Sequence, residues 1–121
     1  MEKEWSIGFA GESPKKEFFS LPKDLLAEFL WIINLIKDYG LSDVGMPYVK
    51  HVRGKLWEIR TKGHNQIGRG LYVALTGKRV AILRVFVKKT FQTPKKEIDL
   101  VLDRLRNFAN EEGEFIDVDS I

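Results

Sequence analysis

Three strand-like segments in quick succession constrain the fold of this 121-residue chain more than any other feature. They are KLWEIRTK (55–62), IGRGLYVAL (67–75) and RVAILRVFVKK (79–89), and each is short, largely apolar and bounded by turn residues. The tight TGKR connection between the second and third segments is typical of a hairpin, whereas the GHNQIG turn between the first two is longer. The sequence therefore predicts an antiparallel meander.

The N-terminal third of the chain predicts one strand and two helices. EWSIGFA (4–10) alternates weakly and indicates a first strand. A short helix follows, with Ser13 as its N-cap and Pro14 at its first helical position. A longer helix begins at Pro22, carries an apolar stripe at helical spacing and ends at Gly40.

The remaining segments connect or follow the predicted strands. Residues 41–54 contain two glycines and a proline, which favours an irregular connection. Thr93 as N-cap and Pro94 as first helical residue begin the last helix, and Gly113 ends it. The acidic tail, about 113–121, is either mobile or a short edge strand.

This order of elements predicts an α+β fold. We expect a small, mostly antiparallel, four-stranded sheet with an N-terminal helical hairpin and a C-terminal helix, all helices packing on one face. Residues 1–121 are too few for two cores, so one domain is expected. The other face of the sheet is then left for function.

Charge is distributed unevenly along the chain. Residues 1–49 have five lysines and eight acids, a net charge of −3, and residues 97–121 have two arginines and eight acids, a net −6. Between them, residues 50–96 hold thirteen Lys and Arg and one acid, a net +12. Such a basic block favours contact with polyanions, nucleic acid above all, although a solvated lysine-rich surface would look the same.

The composition argues against several classes of protein. The chain has no cysteine and two histidines, so we expect no disulfide, metal site or cofactor. The longest apolar run, LLAEFLWIINLI, is too short for a membrane span and includes Glu28 and Asn34. MEKEWSIGF lacks the features of a signal peptide. We therefore expect a cytoplasmic protein without membrane contact.

Four local motifs occur together in GKLWEIRTKGHNQIGRGLYVAL and AILRVFVKKTFQTPKKEIDLVLDRL. They are a Gly-x-Leu-aromatic-Glu-Ile-Arg strand, an arginine opening the next strand, a Phe-x-Lys-Lys strand end and a Thr-Pro step into the last helix. In this order they resemble the RelE/ParE toxin superfamily, and within it the HigB-like, phage-derived branch. The likeness covers roughly residues 5–110 and implies the RelE-like fold.

The resemblance also implies an activity and partners. Such proteins are small cytoplasmic toxins of type II toxin–antitoxin systems, neutralised by an antitoxin that in this branch is most often a helix-turn-helix protein. RelE and HigB members enter the ribosomal A site and cut mRNA there without a metal. Other members of the superfamily inhibit DNA gyrase, so the resemblance alone leaves the target open.

Site residues follow from the resemblance position by position. Arg60 and Arg69 match basic positions that hold substrate phosphate, and Lys89, with Lys88, matches the basic end of the following strand. Glu58 occupies a position that is basic in RelE itself. The segment TFQTPKKE has no tyrosine to stack on a base and exchange a proton.

Metal-free RNA cleavage needs a base, fixed cations and an acid. Arg69 is our first choice for holding phosphate, because a guanidinium can bind two phosphate oxygens at once. Lys88 or Lys89 could act as acid or base, since neighbouring cations favour the neutral amine. His64 suits proton transfer near neutral pH, although an exposed loop histidine without a role is the commoner case.

Further residues are candidates for RNA or phosphate contact. His51, with Lys50 and Arg53, is expected to touch backbone phosphate rather than do chemistry. Lysines in the first turn of the last helix oppose the helix dipole, which makes sense where an anion binds. The complete set is Lys50, His51, Arg53, Lys55, Lys62, Arg84, Phe91, Lys95 and Lys96.

Three functions stay open on the sequence alone. The leading prediction is a ribosome-dependent endoribonuclease toxin, and the alternatives are a ParE-like gyrase inhibitor and a phage-derived nucleic-acid-binding protein without catalysis. Trp57 and Tyr72 are expected to be core or rim aromatics rather than base-stacking platforms.

Overall fold

Six strands form one sheet in the part of the chain that this computed structural model describes, residues 4–88, 93–110 and 114–120. The strands are β1 (Ser6–Ala10), β2 (Val49–Arg53), β3 (Leu56–Lys62), β4 (Ile67–Leu75), β5 (Arg79–Lys88) and β6 (Phe115–Asp117). They lie in the order β2-β3-β4-β5-β1-β6, and only β1 and β5 pair in parallel. The predicted meander, β3 to β5, is confirmed, whereas the expected number of four strands is wrong.

The strand β2 lies where an irregular connection was predicted. It pairs with β3 through Val49 and Ile59, and the chain reverses at Gly54, whose φ of 55° suits glycine. The strand has only five residues and is largely exposed, so it lacks the apolar run that reveals a strand. The β6 strand confirms the edge-strand alternative for the tail.

Three α-helices accompany the sheet: α1 (Glu12–Phe19), α2 (Lys23–Tyr39) and α3 (Lys95–Asn110). The N-cap of α1 is Gly11 and not Ser13, which lies inside the helix. Gly40 ends α2 with a φ of 86°, as predicted. The predicted end of α3 at Gly113 falls outside the described residues. None of the described helices has the length and apolar character required to cross a membrane.

Helices cover both faces of the sheet, so the expectation that all helices pack on one face is wrong. One core cluster packs helix residues against the sheet. It includes Phe18 of α1 and Leu25 and Phe29 of α2, together with Ile59, Tyr72 and Ile82 of the strands. The second includes Val101 of α3 with Leu56, Leu71, Leu83 and Phe86 of the sheet. Because β4 and β5 carry apolar side chains on both faces, each face requires a cover.

Two glycines in β4 fix which way Arg69 points. A Cβ atom on Gly70 would lie 2.3 Å from Cζ of Phe29 in α2, and one on Gly68 would lie 2.4 Å from Oγ1 of Thr61. Only glycine allows α2 to approach this closely. Successive strand residues alternate between faces, so Arg69 points toward the face that α3 occupies.

Candidate functional site

Two predicted site arginines lie side by side on the sheet. Arg60 of β3 is directly opposite Arg69 of β4, which is opposite Phe86 of β5. Directly opposite residues of antiparallel strands place their side chains on the same face, about 5 Å apart. Phe86 packs in the cluster that contains Val101 of α3, so these three residues lie on the face of the sheet that α3 covers. We call the line of Arg60, Arg69 and Phe86 the arginine row.

Further cations flank the two arginines on the same face. Lys62 is opposite Ile67, which is opposite Lys88, so one neighbouring row has a lysine on each side. On the other side Lys50 is opposite Glu58. Lys50 and Lys62 are exposed and Lys88 is half-buried. The structure therefore brings together Arg60, Arg69, Lys50, Lys62 and Lys88 of the predicted set.

Glu58 lies at the centre of this arrangement. Its Oε1 is 3.5 Å from Nη1 of Arg69 and 3.6 Å from Nε of Arg60. The hydroxyl of Thr93 donates to Oε2 of Glu58 at 2.7 Å and accepts from Nη1 of Arg69 at 3.1 Å. We call Glu58, Arg60, Arg69 and Thr93 the Glu58 cluster. Within it, one carboxylate offsets part of the charge of two arginines.

Arg60 and Arg69 differ in how far their side chains are exposed to solvent. The Arg69 side chain is 0% exposed and that of Glu58 1% exposed, whereas that of Arg60 is 16% exposed. Burial lowers the pKa of Arg69, the charge of Glu58 opposes that shift, and the neighbouring charge of Arg60 adds to it. Arg69 is therefore part of the interior of the sheet, and Arg60 is the arginine of the pair that reaches solvent.

Thr93 has a different role from the one predicted. The helix α3 begins at Lys95, and the backbone N–H groups of Glu97 and Ile98 donate to the carbonyl of Pro94 at 3.0 and 3.3 Å. Pro94 is thus the last residue before the helix, and the Thr93 side chain is held by the Glu58 cluster. It ties the start of α3 to the strands that carry the arginines.

Arg84 is engaged by carboxylates of two helices, Glu17 in α1 and Glu97 in α3. Its Nη1 lies 2.8 Å from Oε2 of Glu17 in α1, and its Nε lies 2.6 Å from Oε2 of Glu97 in α3. Burial alone would lower the pKa of Arg84, but the bonds to Glu97 and the charge of Glu17 raise it. These contacts join α1, β5 and α3, so Arg84 has a structural role in the fold.

The other predicted residues lie apart from the arginine row. His51 points to the opposite face from Lys50, with its ring 4.8 Å from that of Trp57 and its Nε2 2.7 Å from the carbonyl oxygen of Gly54. Arg53 and Lys55 are exposed around the β2–β3 turn.

His64 lies in the turn between β3 and β4, where its backbone N–H donates to Asp24 at 3.1 Å and its side chain is exposed. Lys95 and Lys96 are exposed in the first turn of α3. The predictions for Lys89 and Phe91 fall outside the described residues.

Of the two aromatic residues expected in the core or at its rim, Tyr72 lies in the core and Trp57 is partly exposed. Tyr72 is fully buried in the α2-side core, and burial raises the pKa of its hydroxyl. Trp57 is 39% exposed beside His51. No group of three or more His, Cys, Asp or Glu that could hold a metal ion occurs among the residues that the structure describes.

Sequence reasoning missed Glu58 and Thr93 as members of the site. Glu58 is the one acid among thirteen cations in residues 50–96, and a lone carboxylate in such a block is a usable signal. Thr93 carried no such signal, because a Thr-Pro step before a helix is also what an ordinary N-cap looks like.

Replacing Thr93 by valine removes the hydroxyl that bridges Glu58 and Arg69 but keeps the shape of the side chain. We expect the free energy of unfolding to fall by about 1–3 kcal/mol, because two buried charged groups each lose a hydrogen bond. Urea denaturation measures the loss. Thr93→Ser, which keeps the hydroxyl, should recover most of it, and equal losses in both variants would contradict a role for the bridge.

Comparisons with known proteins agree on one family. A family model described as "phage derived protein Gp49-like (DUF891)" matches residues 16–106. The "probable endoribonuclease HigB1" of Mycobacterium tuberculosis, in the CDC 1551 and H37Rv strains, is 33% identical over 90 residues, which are 74% of this chain and 69% of the relative. The region matched by the family model contains the whole Glu58 cluster.

Proposed function

Because the chain belongs to the phage-derived Gp49-like family, in the HigB-like branch of the RelE/ParE superfamily, we propose that it is an endoribonuclease toxin that cuts mRNA on the ribosome. The observation that carries the proposal is the row of Arg60 and Arg69 with Lys62 and Lys88 beside it. This row lies in the +12 block of the sequence. The 33% identity to a relative named as a probable endoribonuclease supports the same activity.

The proposed reaction is an attack of a ribose 2′-oxygen on the adjacent phosphorus. The new bond forms as the P–O5′ bond breaks, the 2′-hydroxyl proton passes to a base, and the leaving O5′ receives a proton from an acid. The products are a 2′,3′-cyclic phosphate and a 5′-hydroxyl. Fixed cations can stabilise the charge that builds on the phosphate, so the reaction requires no metal ion.

Arg60 is the residue best placed to hold the phosphate. It reaches solvent, and its Nε lies 3.6 Å from Oε1 of Glu58. Lys62 lies in the next row and adds a second cation, and Lys88 across Ile67 is our candidate proton donor. Arg69 acts through the Glu58 cluster as a positioning residue, because its side chain is fully buried.

The proposal includes two partners. The ribosome presents the message and supplies polyanionic surface for the basic block. A helix-turn-helix antitoxin is the proposed neutralising partner. Large apolar side chains exposed on α1 and α2 support a protein contact there, since such surface commonly marks an interface. These residues are Phe19, Leu30, Trp31 and Tyr39.

Arg60→Ala is expected to lower mRNA cleavage by about 10²–10³, because the variant loses a preorganised cation at the phosphate. The measurement is a map of mRNA 5′ ends in cells after brief, tightly controlled expression. The wild type should generate new ends at a fixed position within codons of translated messages. Arg106→Ala removes an exposed arginine that pairs only with Asp103 among described residues, and it should cut like the wild type.

Other outcomes would favour other functions. Growth arrest without new RNA ends would overturn the nuclease and make gyrase the target to assay. Normal growth with retained RNA binding would indicate a nucleic-acid-binding protein without catalysis. Cleavage unchanged in Arg60→Ala would remove Arg60 from the active site.

A further inference from the structure

A cavity of about 350 Å³ opens at the edge of β3, next to the arginine row. Its lining includes Glu28 of α2, Pro47, Tyr48 and Ile67, and it shares two walls, Arg60 and Lys62, with the proposed phosphate site. The volume lies in the range of about 300–1,000 Å³ that is typical of small-molecule pockets. It is large enough for one nucleobase.

Two contacts hold Tyr48, the aromatic wall of the cavity, in place. The Tyr48 ring packs edge-on against Trp31 of α2, with centroids 5.2 Å apart. The carbonyl of Tyr48 accepts a hydrogen bond from the backbone N–H of Arg60 at 2.8 Å. The aromatic wall is therefore attached directly to the residue that we propose to hold phosphate.

Among the described residues that line the cavity, Glu28 supplies the carboxylate. Its Oε1 accepts a hydrogen bond from the backbone N–H of Lys62 at 3.2 Å, which anchors the carboxylate at the end of β3. A carboxylate only accepts hydrogen bonds, so it favours a ligand that donates them. The amino group of cytosine is such a donor, whereas uracil has a carbonyl oxygen at the same position.

We propose that this cavity binds one nucleobase of the RNA strand beside the cleaved phosphate, and that Glu28 selects cytosine over uracil there. Single-stranded RNA is recognised by bases that leave the stack, lie against aromatic or guanidinium groups and bond through their edges. An aromatic wall, an acceptor and two flanking cations provide these elements together. The inference rests on the proposed nuclease function and adds a base preference to it.

The test uses the full chain with translating ribosomes on messages that carry either C or U at each position flanking the cleaved bond. At one of these positions the wild type should cut the C message about tenfold faster. Glu28→Gln keeps an acceptor for Lys62 N–H but adds an amide donor, so it should abolish or reverse that preference. Asp24→Asn changes a carboxylate one turn earlier in α2, outside the cavity, and this variant should still cut the C message faster than the U message.

A second variant tests the aromatic wall of the cavity. Tyr48→Ala opens one wall and should slow cleavage of the C and U messages alike, mainly through a higher KM. Equal cutting of C and U at every position by the wild type, or a wild-type preference in Glu28→Gln, would overturn the base site and leave the nuclease standing. No cutting of any message by the wild type would overturn both.

Discussion

Replacing Arg69 by leucine is expected to lower the free energy of unfolding by about 3–5 kcal/mol, the cost of breaking a buried ion pair from one side. Among the described residues, the carboxylate of Glu58, 1% exposed, would keep the Thr93 hydroxyl and the more distant Arg60 as partners. Leucine fills much of the space of the arginine, so the loss arises from the charge and not from a cavity. Urea denaturation at pH 7 measures it.

The matched control removes both charges at once. In Glu58→Leu/Arg69→Leu no carboxylate remains to be buried, and stability should return to within about 1 kcal/mol of the wild type. A double variant as unstable as Arg69→Leu would show that the loss came from packing. An Arg69→Leu protein as stable as the wild type would show that Glu58 finds another partner.

This stability effect determines how activity data on Arg69 must be interpreted. From the sequence, Arg69 is the first choice for holding phosphate, and its substitution would be the obvious test of the proposed nuclease activity. The side chain is fully buried, however, so a variant at Arg69 could lose activity simply by unfolding. Arg60 reaches solvent from the same row and gives the cleaner test.

The fold was predictable where hydrophobic periodicity is strong. The meander β3 to β5 and the long helix α2 lie where the pattern placed them. The strand β5 is apolar on both faces and lies between β4 and β1. The same observation should have predicted helices on both sides of the sheet, since each apolar face needs a cover.

The site was predictable only in part, because partners depend on register. The sequence indicated Arg60 and Arg69, but not that β3 and β4 align so that the two lie directly opposite each other. Nor could it show that Glu17, from a different end of the chain, would engage Arg84. Such long-range ion pairs follow from tertiary packing and leave no periodic signal in the sequence.

Glu17→Gln is expected to lower the free energy of unfolding by about 2–3 kcal/mol at pH 7, somewhat less than for a fully buried pair. Beyond Ile82, β5 has no pairing with β1, and Glu17 accepts a hydrogen bond there from the backbone N–H of Val85 at 3.1 Å. Arg104 donates to the same carboxylate at 2.7 and 2.9 Å and to the carbonyl of Leu83 at 2.8 Å. The substitution removes the charge that balances two arginines.

The pH dependence of this loss has a definite sign. Burial would raise the pKa of Glu17, but the hydrogen bonds from Arg104 and Val85 and the charges of Arg84 and Arg104 outweigh it and lower the pKa. Because its pKa is lower in the folded state, ionised Glu17 stabilises the fold above the pKa that it has in the unfolded chain, about 4.3. This stabilisation is lost as the pH falls through the pKa of Glu17 in the folded state. The difference in free energy of unfolding between the wild type and Glu17→Gln should therefore be constant from about pH 8 to 6 and shrink below about pH 4.3.

A second glutamate on the same helix is the control for Glu17. Glu12 is 58% exposed and pairs only with Lys15, at 3.8 Å, among the described residues. Glu12→Gln should change the free energy of unfolding by less than about 1 kcal/mol at any pH, because an exposed ion pair and an exposed charge in the first turn of a helix each contribute little. Urea denaturation of the three proteins at several pH values tests both expectations. If Glu17→Gln lowers the free energy of unfolding as much at pH 3.5 as at pH 7, the carboxylate charge does not hold α1, β5 and α3 together.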